Sequence, residues 1–260
     1  MPDPASWTIE LPAPRVELSP RWIRVRGGSV GIADSRRALL LAWYGPGRLP
    51  TYCLPPEDVR TDLLRPRAGT PADAEAFLVD HDVRAGDRVL PAAAQLFRGP
   101  RAPLEALDGY YTFGWDAGLS WFEEALEVHV HARDTTKRVD VLPSERHVVV
   151  LADGATVADS RRPHALFETT LPTRWYLPLE DVRQELLVPS DTVSRCPYKG
   201  TAAYWSVRIG DTLHRDVAWT YREPVVECPR ITGLVAFFDE RVDLVIDGVA
   251  QDRPRTPWSQ

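Results

Sequence analysis

The stretch ADSRR at residues 33–37 occurs a second time, unchanged, at residues 158–162. A second stretch, EDVR at residues 57–60, recurs in the same way at residues 180–183. Between the two stretches lie 19 residues in the first copy and 17 in the second. Collinear blocks at nearly constant spacing indicate an internal repeat, and a repeat determines the architecture before any single element is assigned. The sequence therefore predicts a tandem duplication.

A third pair of blocks extends this alignment towards the end of each copy. WFEE at residues 121–124 is matched to FFDE at residues 237–240. We therefore expect two domains, residues 1–128 and residues 129–260. The short joint between the copies also leads us to expect that an edge strand is exchanged between them.

The local pattern within each copy is that of strands and turns. Apolar and basic residues largely alternate over residues 21–26, and Gly27 with Gly28 then supplies a turn. Prolines followed by acidic residues near Pro56 and Pro178 predict one short helix per copy, with Val59 and Leu63 on one face. Further strands are expected in the second copy at residues 147–151, 155–158, 203–209, 217–221, 234–238 and 242–246. The predicted class is mainly β with short helices.

The composition excludes several classes of protein. The chain has 260 residues, 31 Lys plus Arg against 37 Asp plus Glu and a net charge of -6, which disfavours nucleic-acid binding. No apolar stretch approaches the ~18 residues of a membrane span, and the Pro-rich N-terminus does not resemble a signal peptide. We expect a cytoplasmic protein with neither a nucleic-acid nor a membrane partner. The sequence does not predict an oligomeric state.

The cysteines and histidines offer no metal site. Cys53, Cys196 and Cys228 form an odd set without a C-x-x-C pair, which argues against a disulfide framework and a four-thiolate zinc site. His129 and His131 share a strand face but lack an evident third ligand. We expect no metal and no cofactor.

Several blocks of the second copy together resemble a known family. The blocks are RVDVLP at 138–143, VADSR at 157–161, FET at 167–169, WYLPLEDV at 175–182, CPYKG at 196–200 and WTY at 219–221. The chain resembles, over nearly its whole length and as a tandem pair, the bacterial domain family DUF427, which sometimes carries a nucleotidyltransferase-type label. The resemblance implies two β-tent-like domains, related to the Mss4-like folds, and a pocket, but it implies no reaction.

The first copy departs from this pattern. Trp43 stands where the second copy has Glu168, and residues 51–53 replace residues 174–176. CPYKG is absent from the first copy. A degenerate or differently tuned first site is therefore expected.

The CPYKG stretch is the most chemically suggestive part of the sequence. A nucleophilic thiolate at Cys196 would need nearby cations and usually a base, whereas an isolated cysteine commonly packs as a small apolar residue. Lys199 has the better functional argument, because an ammonium beside Gly200 suits an anion site. No phosphate-binding G-x-x-x-x-G-K-[ST] loop is present.

Aromatic residues with polar tips surround these positions in the sequence. Such residues beside a few charges are typical of a small-molecule pocket, although each aromatic residue alone is more often part of a core. Trp219 and Tyr221 would share one strand face. The predicted ligand-binding set in the second domain is Glu168, Trp175, Tyr176, Cys196, Lys199, Tyr204, Trp219 and Tyr221.

Three functional hypotheses remain open from the sequence. The first is a small-molecule binding protein in which Lys199 faces an anionic or carbonyl group, Glu168 accepts hydrogen bonds and the rings give apolar contact. The second is an enzyme of unassigned reaction that uses Cys196 or the Glu168 and Lys199 pair. The third is a structural or interaction protein with vestigial pockets.

Overall fold

The computed structural model of the chain describes residues 6–67 and 77–259. They form two units. The first unit is Pro12–Asp134, and the second is Thr135–Gln260 together with the N-terminal segment that ends at Leu11. Each unit is built from antiparallel strands.

Side-chain and backbone contacts explain where the units begin and end. The Asp134 carboxylate accepts hydrogen bonds from Arg15 Nη2 at 2.6 Å and from the Tyr44 hydroxyl at 3.0 Å, which holds the residues after 128 to the first unit. The N-terminal segment joins the second unit because Thr8 N donates to Arg255 O at 2.7 Å. The division lies a little later in the chain than the expected boundary between residues 128 and 129.

The strands occur in the same order along the chain in the two units. Those of the first unit are β1 (Arg15–Leu18), β2 (Ile23–Gly27), β3 (Val30–Ser35), β4 (Leu39–Ala42), β5 (Thr51–Cys53), β6 (Leu64–Pro66), β7 (Leu78–Ala85), β8 (Arg88–Phe97), β9 (Tyr111–Phe113), β10 (Ser120–Glu123) and β11 (Leu126–Val128). Those of the second are β12 (Val139–Pro143), β13 (Val148–Ala152), β14 (Ala155–Ser160), β15 (His164–Glu168), β16 (Arg174–Leu177), β17 (Leu187–Cys196), β18 (Gly200–Ile209), β19 (Thr212–Pro224), β20 (Val235–Phe237), β21 (Asp243–Ile246) and β22 (Val249–Ala250).

Strand order confirms the duplication. The second unit has a seven-stranded sheet, β12-β15-β16-β20-β19-β18-β17, and a four-stranded sheet, β14-β13-β21-β22. The first unit has the corresponding orders β1-β4-β5, β9-β8-β7-β6 and β3-β2-β10-β11. Its large sheet is divided because β5 and β9 meet through an isolated bridge between Leu54 and Tyr111. The chain is thus mainly β with two tandem domains, its sheets are open, and the β-tent assignment stays a prediction.

Two expectations about the alignment and the joint are wrong. Trp121 lies in β10, which pairs with β2, whereas Phe237 lies in β20, which pairs with β16 and β19. The structural counterpart of Phe237 is Phe113 in β9. The alignment of residues 121–124 with residues 237–240 is therefore wrong. The expected strand exchange is also absent from the described residues, because the strands of each unit pair within that unit.

The predicted helix in each copy is wrong as well. Val59 and Val182 have extended backbones and form bridges to Ala33 and Ala158, so Val59 and Leu63 do not share a helical face. Single 3-10 turns stand on both sides of each valine, at Pro56–Asp58, Thr61–Leu63, Leu179–Asp181 and Gln184–Leu186. Among residues 6–67 and 77–259, no helix has the length and apolar character needed to cross a bilayer.

The two faces of the seven-stranded sheet bury different residues. One face packs on the four-stranded sheet through residues such as Val150, Leu177 and Val207. The other, which we call the outer face, carries Leu166 and Ala236 and is partly covered by the segment that contains the 3-10 turn Pro229–Ile231. This outer face positions the candidate site.

Candidate functional site

Strand alternation on β16 separates the predicted site residues into two groups. Arg174 and Tyr176 point to the outer face, and Trp175 and Leu177 point to the core between the sheets. Trp175 therefore does not join the other predicted residues, and its placement in the ligand-binding set needs correction. Its ring packs in the core and lies 6.0 Å from the Arg146 guanidinium.

A buried carboxylate between two ammonium groups is the main polar feature of the outer face. Glu168, at the end of β15, is 8% exposed. Its Oε2 accepts a short hydrogen bond from Lys199 Nζ, and its Oε1 lies 3.3 Å from Lys137 Nζ. Two positive charges thus share one negative charge, so the three side chains together carry a net charge of +1.

Electrostatics keep this group ionised. Burial by itself raises the pKa of Glu168, but Lys199 and Lys137 outweigh burial and hold that pKa below its ordinary value. Burial by itself lowers the pKa of Lys199, but the Glu168 carboxylate outweighs it and raises that pKa above its ordinary value. Lys199 is therefore a stable cation, and it lacks the deprotonated amine that a nucleophile requires.

Aromatic side chains surround the charged group. The Trp219 indole donates a hydrogen bond from Nε1 to the Tyr176 hydroxyl at 3.0 Å, and the two rings meet edge to face at 6.2 Å. Phe238 lies 4.5 Å from Trp219 and stacks on Tyr204 at 6.4 Å. Tyr176 and Trp219 are buried, whereas Tyr204 and Phe238 are half-buried and accessible from outside.

Tyr221 contributes a largely buried ring and its hydroxyl to the same cluster. Tyr221 is 4% exposed, and burial raises the pKa of its phenol. Within the described part of the chain, its hydroxyl has no hydrogen-bond partner, although Tyr176 and Glu168 are near enough to interact with it electrostatically. The oxygen itself is not fully enclosed, so a ligand can reach it.

A second buried ion group lies beside the rings. Arg174 donates to Glu240 from Nη1 at 2.8 Å and from Nη2 at 2.5 Å, and its Nη1 lies 3.4 Å from Asp239 Oδ2. The guanidinium also lies 5.8 Å from the Trp219 ring. Burial, aided by the neighbouring Glu240 charge, raises the pKa of Asp239 to about 7 although Arg174 opposes this.

The three thiols have different surroundings. Cys196 is half-buried at the end of β17, where the Lys199 backbone N donates to its carbonyl oxygen at 3.3 Å. Cys228 lies in the apolar part of the outer face, and burial raises the pKa of its thiol. Cys53 is fully buried in the first unit, and burial raises its pKa too. Cys196 is thus the most accessible of the three.

The sequence interpretation missed Lys137, for which the strand register gives one signal and the sequence gives another. Lys137 stands two residues before Val139, which is paired with Glu168, and residues two apart on a strand share a face. The second signal is a count: Lys137 and Lys199 are the only lysines among 31 basic residues of the chain. Both lysines meet at one carboxylate.

The first unit has apolar side chains at three positions that correspond to the site. Strand pairing aligns Trp43 with Glu168, Cys53 with Tyr176 and Phe97 with Tyr221. Trp43, Phe77 and Phe97 stack in a row at 6.4 and 6.1 Å. The part of the first copy that would align with CPYKG falls within residues 68–76, outside the described residues.

The described side chains offer no obvious metal centre. Within residues 6–67 and 77–259, no group of three or more His, Cys, Asp or Glu side chains is arranged to hold a metal ion.

A protein-family model matches the chain twice. The family model NTP_transf_9, described as a domain of unknown function (DUF427), matches residues 15–124 and again residues 140–248. No curated protein matches the chain.

Proposed function

We propose that this chain, which belongs to the DUF427 family, binds a small organic anion on the outer face of the seven-stranded sheet in its second domain. The observation that carries the proposal is the meeting of both lysines of the chain at the buried Glu168. The lysine ammonium is a compact cation with three donors. The planar guanidinium of arginine has a different shape and is not equivalent to it. A chain that otherwise uses arginine keeps lysine at these two positions.

Unmet hydrogen-bonding capacity supports a ligand at Lys199. An ammonium group has three donors. Within the described residues, the side-chain hydrogen bond of Lys199 goes to Glu168 alone, and the nearby Tyr221 hydroxyl has no partner. A carboxylate of a ligand would accept from both groups.

Comparison with the first domain indicates that Glu168 and the two lysines serve a purpose other than stability. Its strands have the same order, but Trp43, Cys53 and Phe97 occupy the corresponding positions. Buried ion pairs are often no better for stability than apolar residues of similar volume. The same fold therefore forms without the buried charges, which favours a binding role for them in the second domain.

The half-buried side chains define how a ligand would approach. Cys196, Tyr204 and Phe238 are half-buried, and the Lys199 side chain is 13% exposed. We therefore assign ligand contact to these four side chains. Tyr176 and Trp219, joined by their hydrogen bond, act from behind as a rigid support.

Lysine-selective NMR tests the proposal directly, because the chain has two lysines. In a sample labelled with 15N-lysine, titration with benzoate is expected to shift the signals of Lys137 and Lys199 and to raise the melting temperature. Acetate should act more weakly, since it offers the rings less apolar surface. At a benzoate concentration of about 100 times Kd, the added stability should be about 2.7 kcal/mol.

Two variants sharpen this test. Lys199→Gln should abolish the benzoate effect, and Arg146→Gln, which removes a cation from the other face of the sheet, should leave it intact. If benzoate, acetate and inorganic phosphate all leave the lysine signals and the melting temperature unchanged, the binding proposal fails and the structural role with vestigial pockets is favoured.

Thiol reactivity separates binding from nucleophilic catalysis. With iodoacetamide at neutral pH, we expect Cys196 to be alkylated no faster than a model thiol, because it is half-buried. Cys53 and Cys228 should react only after unfolding, since burial raises their pKa values. Peptide mapping by mass spectrometry measures all three rates, and labelling in denaturant is the control. Alkylation of Cys196 far faster than the model thiol would instead support an enzyme that uses Cys196.

A further inference from the structure

A pocket of about 400 Å³ opens on the first unit, on the outward side of β2 and β3 next to the 3-10 turn Pro56–Asp58. Its volume is at the lower end of the range of about 300–1,000 Å³ that is common for small-molecule sites. Three arginines, Arg24, Arg26 and Arg60, line it together with the carboxylates of Asp34, Glu57 and Asp58. Basic and acidic groups are thus mixed in the lining, since Arg24 is the cross-strand neighbour of Asp34.

Aromatic rings hold the Arg24 side chain in place. Its guanidinium carbon lies 4.3 Å from the centre of the Trp22 ring and 5.2 Å from that of Phe122. Nη2 donates to the Glu124 carbonyl oxygen at 2.5 Å. Nε is buried and has no hydrogen-bond partner in the described part of the chain. A guanidinium stacked between rings is well ordered before any ligand arrives.

Arg26 adds a second guanidinium on the same strand face. Residues two apart on a strand are separated by roughly 7 Å, so the two groups can reach one ligand together. Arg26 is exposed, and its Nη2 donates to the Ser29 carbonyl oxygen at 3.1 Å. Among the described residues, neither Arg24 nor Arg26 pairs with a carboxylate, in contrast to Arg37 and Arg60.

The remaining surfaces of the pocket leave room and offer acceptors. A Cβ placed on Gly31 would meet nothing within 4 Å, so this part of the pocket is open. Asp34 accepts a hydrogen bond from Trp22 Nε1 at 2.6 Å through Oδ1, which orients its carboxylate. The Glu57 side chain is 67% exposed. Both carboxylates can accept hydrogen bonds from a ligand.

We infer that this pocket binds a phosphomonoester whose body carries hydroxyl groups. A phosphate group has a charge of about −1.5 to −2 and three acceptor oxygens. Phosphate is therefore a better ligand for two guanidinium groups than a carboxylate, which has a single charge and two oxygens. Hydroxyl groups on the body of the ligand would donate to Asp34 and Glu57. The site is independent of the anion site proposed on the second domain.

The second domain shows that the fold does not require this arginine pair. Strand pairing aligns Arg24 with Val149 and Arg26 with Leu151 on equivalent strands. The hydrogen bond between Trp22 and Asp34 has a counterpart in the second domain. There, His147 Nε2 lies 2.6 Å from Asp159 Oδ1. The arginines thus distinguish the first domain from the second.

Isothermal titration of the full chain with ribose 5-phosphate tests the inference. We expect saturable binding to the wild type, weaker binding of inorganic phosphate and none of ribose. Arg26→Gln, which alters an exposed side chain, should weaken binding about tenfold or more, and Arg24→Gln should do the same. Arg36→Gln is the matched control, since the Arg36 guanidinium also stacks on the Trp22 ring but does not line the pocket.

The outcomes separate the inference from its alternatives. Loss of binding in Arg26→Gln with retention in Arg36→Gln and Lys199→Gln supports a site in the first domain. Equal affinity of the wild type and Arg26→Gln, or the absence of binding to the wild type, overturns it. Loss of binding in Lys199→Gln alone would place the phosphate on the second domain instead and also overturns it.

Discussion

Replacing Glu168 with glutamine is expected to lower the free energy of unfolding of the second domain by about 3–5 kcal/mol at neutral pH. The reason is that the ammonium groups of Lys199 and Lys137 lose the one carboxylate that both contact and remain enclosed by protein. Removing one partner of a buried ion pair leaves a charge without compensation, which is far more destabilising than removing the whole pair. Urea denaturation followed by tryptophan fluorescence measures the change.

Two further variants provide the controls for Glu168. Glu168→Gln combined with Lys199→Gln should recover part of the lost stability, because fewer unpaired charges then remain buried. Glu185→Gln, which breaks an exposed pair with Arg183, should leave the denaturation curve unchanged. Because the folded pKa of Glu168 lies below its unfolded value, its stabilisation is present above the unfolded pKa and is lost as pH falls through the folded pKa. A Glu168→Gln protein as stable as the wild type would contradict the arrangement described here.

Replacing Asp239 with asparagine is expected to stabilise the second domain at pH 8 and to leave it nearly unchanged at pH 4. Burial raises the pKa of Asp239 from 3.8 to about 7, so the folded chain keeps a proton that the unfolded chain releases. The wild type therefore loses stability as pH rises from about 4 to about 7, and above that the loss is constant. One pKa unit corresponds to 1.36 kcal/mol, which gives an upper limit of roughly 4 kcal/mol for the stabilisation.

Thermal unfolding of the wild type and the variant over pH 4–8 measures this difference. The matched control is Asp181→Asn, whose expected effect has the opposite sign. Hydrogen bonds from Arg162 and Ser160 hold the pKa of Asp181 below its ordinary value. Asp181→Asn should therefore destabilise the chain at neutral pH, with a difference from the wild type that shrinks as pH falls. A gap between Asp239→Asn and the wild type that does not widen with pH would rule out the buried, protonated aspartate.

The parts of the fold that the sequence predicted well are those that depend on repetition. The blocks at residues 33–37 and 158–162 align the copies correctly because identical segments fold into identical strands, β3 and β14. The helix prediction at Pro56 failed because the same proline and acidic residues also suit a single 3-10 turn. Only the bridge from Val59 to Ala33, a contact distant in sequence, decides between the two.

The candidate site was predicted in part for a similar reason. Glu168, Tyr176, Trp219 and Tyr221 meet because strand parity places each of them on the outer face. Lys199 reaches Glu168 from the turn between β17 and β18. The placement of Trp175 was wrong because neighbouring residues of a strand point to opposite faces of the sheet. Tyr176 faces the site, so Trp175 faces the core. Register between strands was needed to add Lys137, since its partner Glu168 is more than thirty residues away.

The isolated bridge in the first domain has a mechanical consequence. Among the described residues, β5 and β9 are fastened by two backbone hydrogen bonds between Leu54 and Tyr111, at 2.7 and 2.9 Å. The corresponding strands of the second domain form a continuous ladder through Tyr176 and Leu177. The large sheet of the first domain therefore has a weaker backbone connection between β5 and β9, supplemented by the Thr51–Thr112 hydroxyl contact at 3.0 Å. We expect its two parts to change their relative twist more easily than the corresponding parts in the second domain.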